Sequence, residues 1–207
     1  MLKIWGRKNS SNVQKVMWAV GETGVAFEHT ELGGAFGGNR EPSFLALNPN
    51  GLVPVIQDGT VVMWESNAIV RYIAVKYGAG RLAPSDPVMR ARADQWMDWQ
   101  QTTVNAPMVT TFWGLIRTPE DKRDHAAIAA GATRYTEVMT ILDVQLGKTP
   151  YVAGDVFCMG DIPVAIMTHR YLHLFPDHPP LRNLQRWYDT LASRKAFVDH
   201  VSSVPMT

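Results

Sequence analysis

Three short polar side chains, Ser10, Ser11 and Asn12, lie in a row in the stretch "WGRKNSSNVQKV", where an apolar run gives way to a helical pattern. Two hydroxyls and a carboxamide at such a joint allow two kinds of chemistry. One is capping, in which a side-chain oxygen accepts a hydrogen bond from an early N–H of the helix. The other is anion binding: a helix N-terminus offers unpaired N–H groups and a partial positive charge, and a hydroxyl beside it adds an aimed donor. A second joint of this kind is "ESNA", where Glu65 and Ser66 open a helix running to Tyr77. Between the two joints, "NGLVPV" sets Val53 before Pro54, and a proline that cannot donate to a ladder belongs at a strand start or an edge. Asn39 and Arg40 precede the turn "EPSF", and a guanidinium there can grip a carboxylate with two parallel bonds.

Short strands and helices must position these groups. "LKIW" reads as a strand, and Val13, Val16, Met17 and Val20 then share one helical face that ends near Gly21–Gly24. "AFEHT" alternates as a second strand, and a Gly-rich loop leads to the short helical turn "EPSFLALNPNG". "VPVIQDGTVVMW" is a hairpin pattern turning at Asp58-Gly59, and "ESNAIVRYIAVKYG" is a helix closed by Gly78. Residues 1–80 therefore follow the order βαβαββα, a small mixed sheet covered by helices. The cluster "GAGRLAPSDP" marks a linker at 81–88, and residues 89–207 read as an all-α domain. Asp86-Pro87 and Thr118-Pro119-Glu120-Asp121 both read as helix starts, and Pro107 should interrupt a long helix between them. Tyr135, Val138, Met139, Leu142 and Leu146 form one later stripe, and Leu184, Trp187 and Leu191 belong to another. In "YVAGDVFCMGDIPVAIM", Cys158 sits at an N-cap position with Asp161 three residues on, which is half of a capping box, and Phe157 and Ile162 have staple spacing.

Composition narrows the function classes. The chain has 207 residues, a net charge of +1 and 46% apolar residues with seven Trp, so it can bury a core and projects no field toward nucleic acid or acidic membranes. No run approaches the ~20 apolar residues of a membrane span and no secretory leader is evident, so a cytoplasmic location is expected. A single cysteine, Cys158, excludes an internal disulfide and a C-x-x-C redox pair. His169, His173 and His178 are loosely spaced around Pro176 and lack carboxylate or thiolate companions, so no metal site is expected.

"NSSNVQKV", "FLALNPNGLVPVI", "WESNAIVRYIA" and the late "GDxxxA" helix start, in that order across the chain, resemble the glutathione transferase superfamily, within it the bacterial theta-like and nu-like cytosolic enzymes. The resemblance implies an α/β thioredoxin-like N-terminal domain that binds glutathione, followed by an all-α C-terminal domain. It also implies a cytoplasmic homodimer that acts in detoxification, with glutathione as co-substrate and no metal. Theta-like relatives activate the thiol with a serine at the place of Ser10. Nu-like relatives pair a hydroxyl there with an asparagine at the place of Asn12. Ser10 and Asn12 are thus the implied catalytic pair, and Ser11 the candidate for plain capping at the edge of the peptide site. The resemblance further implies a cis Val53–Pro54 bond with the Val53 backbone pairing to the peptide. Ser66 would take the γ-glutamyl carboxylate, Glu65 the α-ammonium, and Asn39 and Arg40 the glycine carboxylate.

Departures from the family pattern sharpen this picture. Leu52 stands where many relatives carry Gln or Lys, and Trp5, at the end of the first strand, cannot ionise as the tyrosine of other classes does. With no cysteine at residues 9–13, covalent exchange chemistry is not expected. A pocket for a small apolar electrophile is expected from Phe36, Met108, Phe112 and Trp113. Two other functions share the peptide site: glutathione-dependent disulfide reduction, with the disulfide as second substrate, and a non-catalytic glutathione-binding module. No nucleic-acid or membrane partner is expected.

Overall fold

A computed structural model describes all residues, Met1–Thr207. By internal contacts the chain forms two compact units, one of Met1–Ala83 with Lys195–Pro205 and one of Pro84–Arg194 with Met206–Thr207. The return of Lys195–Pro205 to the first unit corrects the expectation of a helical domain running unbroken from 89 to 207.

The first unit holds a four-stranded sheet in the order β2-β1-β3-β4. Strand β1 (Leu2–Trp5) runs parallel to β2 (Phe27–Thr30) and antiparallel to β3 (Val55–Asp58), which forms a hairpin with β4 (Val61–Trp64). Leu2 and Ile4 are buried with Lys3 exposed between them, the alternation of a strand with one covered face. Helix α1 (Ser11–Thr23) crosses from β1 to β2 and buries Val13, Val16, Met17 and Val20, the stripe read from the sequence. Its end is closed by Gly24 in the left-handed conformation, whose N–H donates to Val20 O. Helix α2 (Pro42–Leu45) is one short turn, and α3 (Ser66–Tyr77) packs against α1. Gly78 follows α3 with its N–H on Ala74 O, but its φ of −120° is not the left-handed cap.

The hairpin turn is fastened to the end of α3. Asp58 Oδ2 accepts bonds from Tyr72 Oη (2.9 Å), Lys76 Nζ (2.7 Å) and Tyr77 Oη (2.6 Å). Partial burial alone would raise the Asp58 carboxyl, but these donors hold it below the usual carboxylate range.

In the second unit, α4 (Pro87–Trp99) widens into a π-helical stretch at Gln100–Val104 before α5 (Asn105–Phe112). Pro107 has no N–H, and in a regular helix its ring would press on the carbonyl four residues back; the widened turn just upstream makes room for it. Thr118-Pro119 opens only a short 3-10 turn, Glu120–Lys122, and not the next long helix. Arg123 donates to Leu115 O (2.7 Å) and Thr118 O (3.2 Å) and folds 115–123 into a corner, and α6 (His125–Leu146) begins after it. Its cap is Asp124, which accepts a bond from Ala127 N. Helix α7 (Asp161–Leu174) is buried on every side from Asp161 to Tyr171, the sign of a helix at the centre of a core. Helix α8 (Arg182–Ala192) buries Leu184, Trp187 and Leu191.

The start of α7 corrects one more expectation. Gly160, not Cys158, occupies the cap position. The reciprocal half of the box is nevertheless made, because Asp161 accepts from Cys158 N (3.0 Å), and also from Val152 N (3.0 Å) and Trp187 Nε1 (2.9 Å). Burial pushes the Cys158 thiol up to about 12, and the Asp161 charge adds to that shift, so this cysteine is an inert core residue. Short α9 (Lys195–Phe197), continued by wide turns at Val198–Ser202, seats Phe197 edge-on against Trp18 of α1 at 4.9 Å.

Candidate functional site

The joint between β1 and α1 is built around Gly6. Its φ of +147° lies in the region L side chains avoid, and a Cβ there would fall 2.5 Å from Val13 Cγ2 and 3.0 Å from Val53 Cβ. Glycine at this point lets the first turn of α1 and the Val53–Pro54 corner share one site. The Val53–Pro54 peptide bond is cis. Neither the N–H nor the C=O of Val53 is engaged by another backbone group.

Ser10 is the N-cap of α1 by backbone conformation, yet its side chain makes no capping bond. Ser11 is the first helical residue and not the N-cap, so the place of the cap falls one residue earlier than expected, on Ser10. The Ser11, Asn12 and Val13 N–H groups have no backbone acceptor, and the first closed turn is Gln14 N to Ser10 O. The joint therefore presents three amide donors and the nearly buried Ser10 hydroxyl.

The start of α3 comes to the same place. Ser66 is 5% exposed, and its Oγ donates to Asn12 Oδ1 at 3.3 Å, joining the two helix N-termini. Glu65, just before it, is the one non-glycine residue with positive φ (69°), a conformation that costs on the order of 1–3 kcal/mol and that active sites often retain. Its exposed side chain makes no cap, which leaves the carboxylate directed outward.

The loop before Val53 is braced from within. Asn48 accepts from the Asn50 backbone and side chain and donates to Leu52 O (2.8 Å). Asn39 Nδ2 donates to Gly51 O (2.8 Å), and Arg40 Nη1 reaches Asn50 O at 3.4 Å. A Cβ on Gly51, whose φ is +63°, would lie 2.8 Å from both Arg40 Nη1 and Asn39 O, so no side chain fits there. Asn39 thus shapes the loop, while Arg40, exposed, keeps most of its guanidinium N–H groups beyond that one long bond.

The four residues expected to line an electrophile pocket are of two kinds. Met108 and Phe112 are core residues, 4% and 3% exposed, and the Arg170 guanidinium lies 4.1 Å from the Phe112 ring centroid. Phe36 and Trp113 are 60% and 54% exposed. Within the first unit, Phe36 borders a cavity of about 600 Å³ with Lys8, Met17, Phe27, His29 and Val204. Of these, the sequence marked Phe36 for a pocket and Met17 only for the buried face of α1. Phe27 and His29 alternate on β2, and that period was the signal for them. No three or more His, Cys, Asp or Glu residues converge as a metal site. His169 lies tilted against His173 and parallel to the ring of Tyr188, whose Oη lies 2.7 Å from His169 Nδ1.

Comparison with known proteins gives consistent matches. The family model for the glutathione S-transferase N-terminal domain matches residues 1–75. The chain is 41% identical over 209 residues to glutathione S-transferase GstB of Escherichia coli, covering the whole of both chains. It is 29% identical to glutathione S-transferase 3 of Zea mays, covering 99% of this chain and 95% of the other. Among solved structures it matches the theta class glutathione S-transferase of Xanthomonas axonopodis pv. citri with glutathione bound, at a TM-score of 0.96 and 47% identity over 100% of this chain and 99% of that one.

Proposed function

The chain belongs to the glutathione S-transferase family and is a glutathione transferase, and from that premise we propose that its β1–α1 joint holds the glutathione sulfur as a thiolate for attack on an apolar electrophile. The observation that carries this reading is the Ser10 hydroxyl: nearly buried at a helix N-terminus and not engaged in capping. A free cysteine thiol titrates near about 8.5, and each tenfold gain in thiolate at neutral pH needs about 1.4 kcal/mol of preferential stabilisation. A charge-assisted hydroxyl bond together with the α1 N-terminus is of the size to supply one or two such steps. Asn12, the second residue of the helix, is the second donor, and the Ser11 N–H adds to the positive end.

The rest of the peptide is laid out from this sulfur. The Val53 N–H and C=O pair with the cysteinyl unit as a short β-augmentation. The γ-glutamyl carboxylate sits at the α3 N-terminus by Ser66, with Glu65 toward the α-ammonium. Arg40 faces the glycine carboxylate, and Asn39 braces the loop that Arg40 borders. Phe36 supplies an apolar wall for the electrophile within the first unit. The reaction is an attack by the held thiolate, without a covalent enzyme intermediate.

We read the protein as a cytoplasmic homodimer in detoxification. No helix is long and apolar enough to cross a membrane. Support for self-association is the apolar edge strand β4, where Val61, Val62 and Trp64 are each 38–39% exposed. The decisive measurement is a titration of bound glutathione by thiolate absorbance. The expected result is a thiol pKa at least one unit below the free value, returned upward in Ser10→Ala. Bound glutathione with an unshifted thiol would leave a peptide-binding module and end the thiolate reading.

A further inference from the structure

We propose that His29 is a positioning residue for the thiolate site: from the end of β2 it holds the carbonyl of Gly6 and so fixes the loop that delivers Ser10 and the α1 N-terminus to the sulfur. The inference rests on the thiolate reading above and adds to it a residue outside the peptide contacts.

Strand β2 holds Gly6 on both sides. The Gly6 N–H donates to Thr30 O (3.0 Å), and the Gly6 carbonyl lies 2.7 Å from His29 Nε2. A carbonyl only accepts, so Nε2 carries a hydrogen and donates it. That hydrogen stays in place whether or not the other ring nitrogen is protonated, so the bond does not depend on the charge of the imidazole. Two residues further on, Glu31 Oε2 accepts from the Lys8 N–H at 3.2 Å. The end of the strand thus meets the loop at Gly6 and again at Lys8.

There is little slack between that carbonyl and the sulfur site. The chain turns at once, with Ser10 N on Arg7 O (3.1 Å), and α1 then closes its first turn with Gln14 N on Ser10 O (2.9 Å). A tilt of the peptide plane after Gly6 is therefore passed on to Ser10. Gly6 is buried and no backbone N–H donates to its carbonyl, which leaves His29 as the donor. Without the imidazole that acceptor is buried unpaired, and a glycine is the residue best able to swing its carbonyl in search of water. Hydrogen bonds weaken steeply with misalignment, so a displaced Ser10 hydroxyl stabilises the thiolate less.

The test compares His29→Leu, which has no donor, with His29→Gln, whose side-chain N–H reaches about as far as imidazole Nε2. These variants, Ser10→Ala and the His29→Leu/Ser10→Ala double variant are read for glutathione Kd and for bound thiol pKa by thiolate absorbance. No electrophile is present, so contacts of His29 with the cavity beside Phe36 do not enter, and thermal melts confirm folding. The expected result is that His29→Leu raises the bound thiol pKa by about half a unit or more, while Kd changes less than about threefold. His29→Gln should return the wild-type pKa, and the rises from His29→Leu and Ser10→Ala should not add fully in the double variant. If His29→Leu does not fold, His29→Asn, whose amide is too short to reach the carbonyl, takes its place with the same expected rise. A folded His29→Leu protein with the wild-type thiol pKa, however much less stable, would overturn the proposal. So would a His29→Gln value equal to that of His29→Leu, or rises that add fully. An unshifted thiol in the wild type removes the underlying thiolate reading, and that failure is seen before any variant is made.

Discussion

The helix N-termini of the two units are finished in opposite ways. In the second unit each long helix has a carboxylate at its start. Asp86 accepts from Met89 N (2.8 Å) at α4, and Asp124 accepts from Ala127 N (2.9 Å) at α6. At α7 Asp161 reaches back to Cys158 N, and at α8 the carboxylate comes from another helix, Asp143 Oδ1 accepting from Asn183 N and Leu184 N at 2.9 Å each. In the first unit Ser10, Glu41 and Glu65 precede α1, α2 and α3, and none makes a side-chain capping bond. Capping an end adds typically ~1 kcal/mol. Leaving α1 and α3 open forgoes that stability and keeps amide donors for an anion from outside. Of these uncapped helices, α1 and α3 are the two whose starts meet at the proposed peptide site.

The largest effect that would test this contrast lies at Asp161. Asp161→Ala leaves two backbone N–H groups and the Trp187 indole N–H buried without an acceptor, each a loss of ~1–3 kcal/mol. Unfolding by urea should show a loss of about 3–5 kcal/mol, with the bound thiol pKa unchanged if closed and open ends are independent.

Next in size is a pair of opposing acid responses in the same unit. Burial holds His169 down to about 4, with the His173 and Arg170 charges acting in the same direction. Its folded pKa is below the unfolded ~6.5, so its contribution is present above pH 6.5 and lost as pH falls toward 4, by up to about 3 kcal/mol. Burial raises Asp161 to about 6, against the bonds from its three donors. Its folded pKa is above the unfolded value, so its contribution grows as pH falls from 6 toward 4. The two nearly cancel. Stability measured against pH should therefore rise on acidification in His169→Gln and fall in Asp161→Asn, and parallel curves for the two variants would refute the assignment.

Smaller effects separate closed from open ends directly. Asp143→Ala should lower stability by about 1–2 kcal/mol through the two N–H groups it releases at α8. Ser10→Ala should change stability by under about 0.5 kcal/mol, because its hydroxyl caps nothing. A loss at Ser10 equal to that at Asp143 would mean that α1 is capped in solution after all.

Sequence reading reached the features whose causes are local. The α1 stripe, the Asp58-Gly59 hairpin, the Asp86 cap and the back-bond from Asp161 each depend on residues within a few positions. It failed where two local signals competed or where the partner was remote. Thr118-Pro119 and Asp124 both have the chemistry of a helix start, and the choice falls to Asp124 because Arg123 ties down Leu115 O and Thr118 O. Nothing in the spacing announces that Asp143 caps a helix 40 residues away, or that Asp58 gathers Tyr72, Lys76 and Tyr77. The residue types at 10, 12, 53, 65 and 66, which the proposed site uses, could be picked out from the sequence. Which serine heads α1, and the bond from Ser66 to Asn12, required coordinates, because adjacent serines are interchangeable in a pattern and a contact across 54 residues has none.

The return of Lys195–Pro205 to the first unit has a consequence for the order in which the protein is made. Phe197, which packs edge-on against Trp18, leaves the ribosome long after β1 to α3 have emerged. Translation at about 5–20 residues per second puts the roughly 110 intervening residues at some 5 to 20 s. Throughout that interval the nascent sheet and α1 stand without their last packing element, so the Trp18 face is exposed to chaperones and proteases before the chain can close over it.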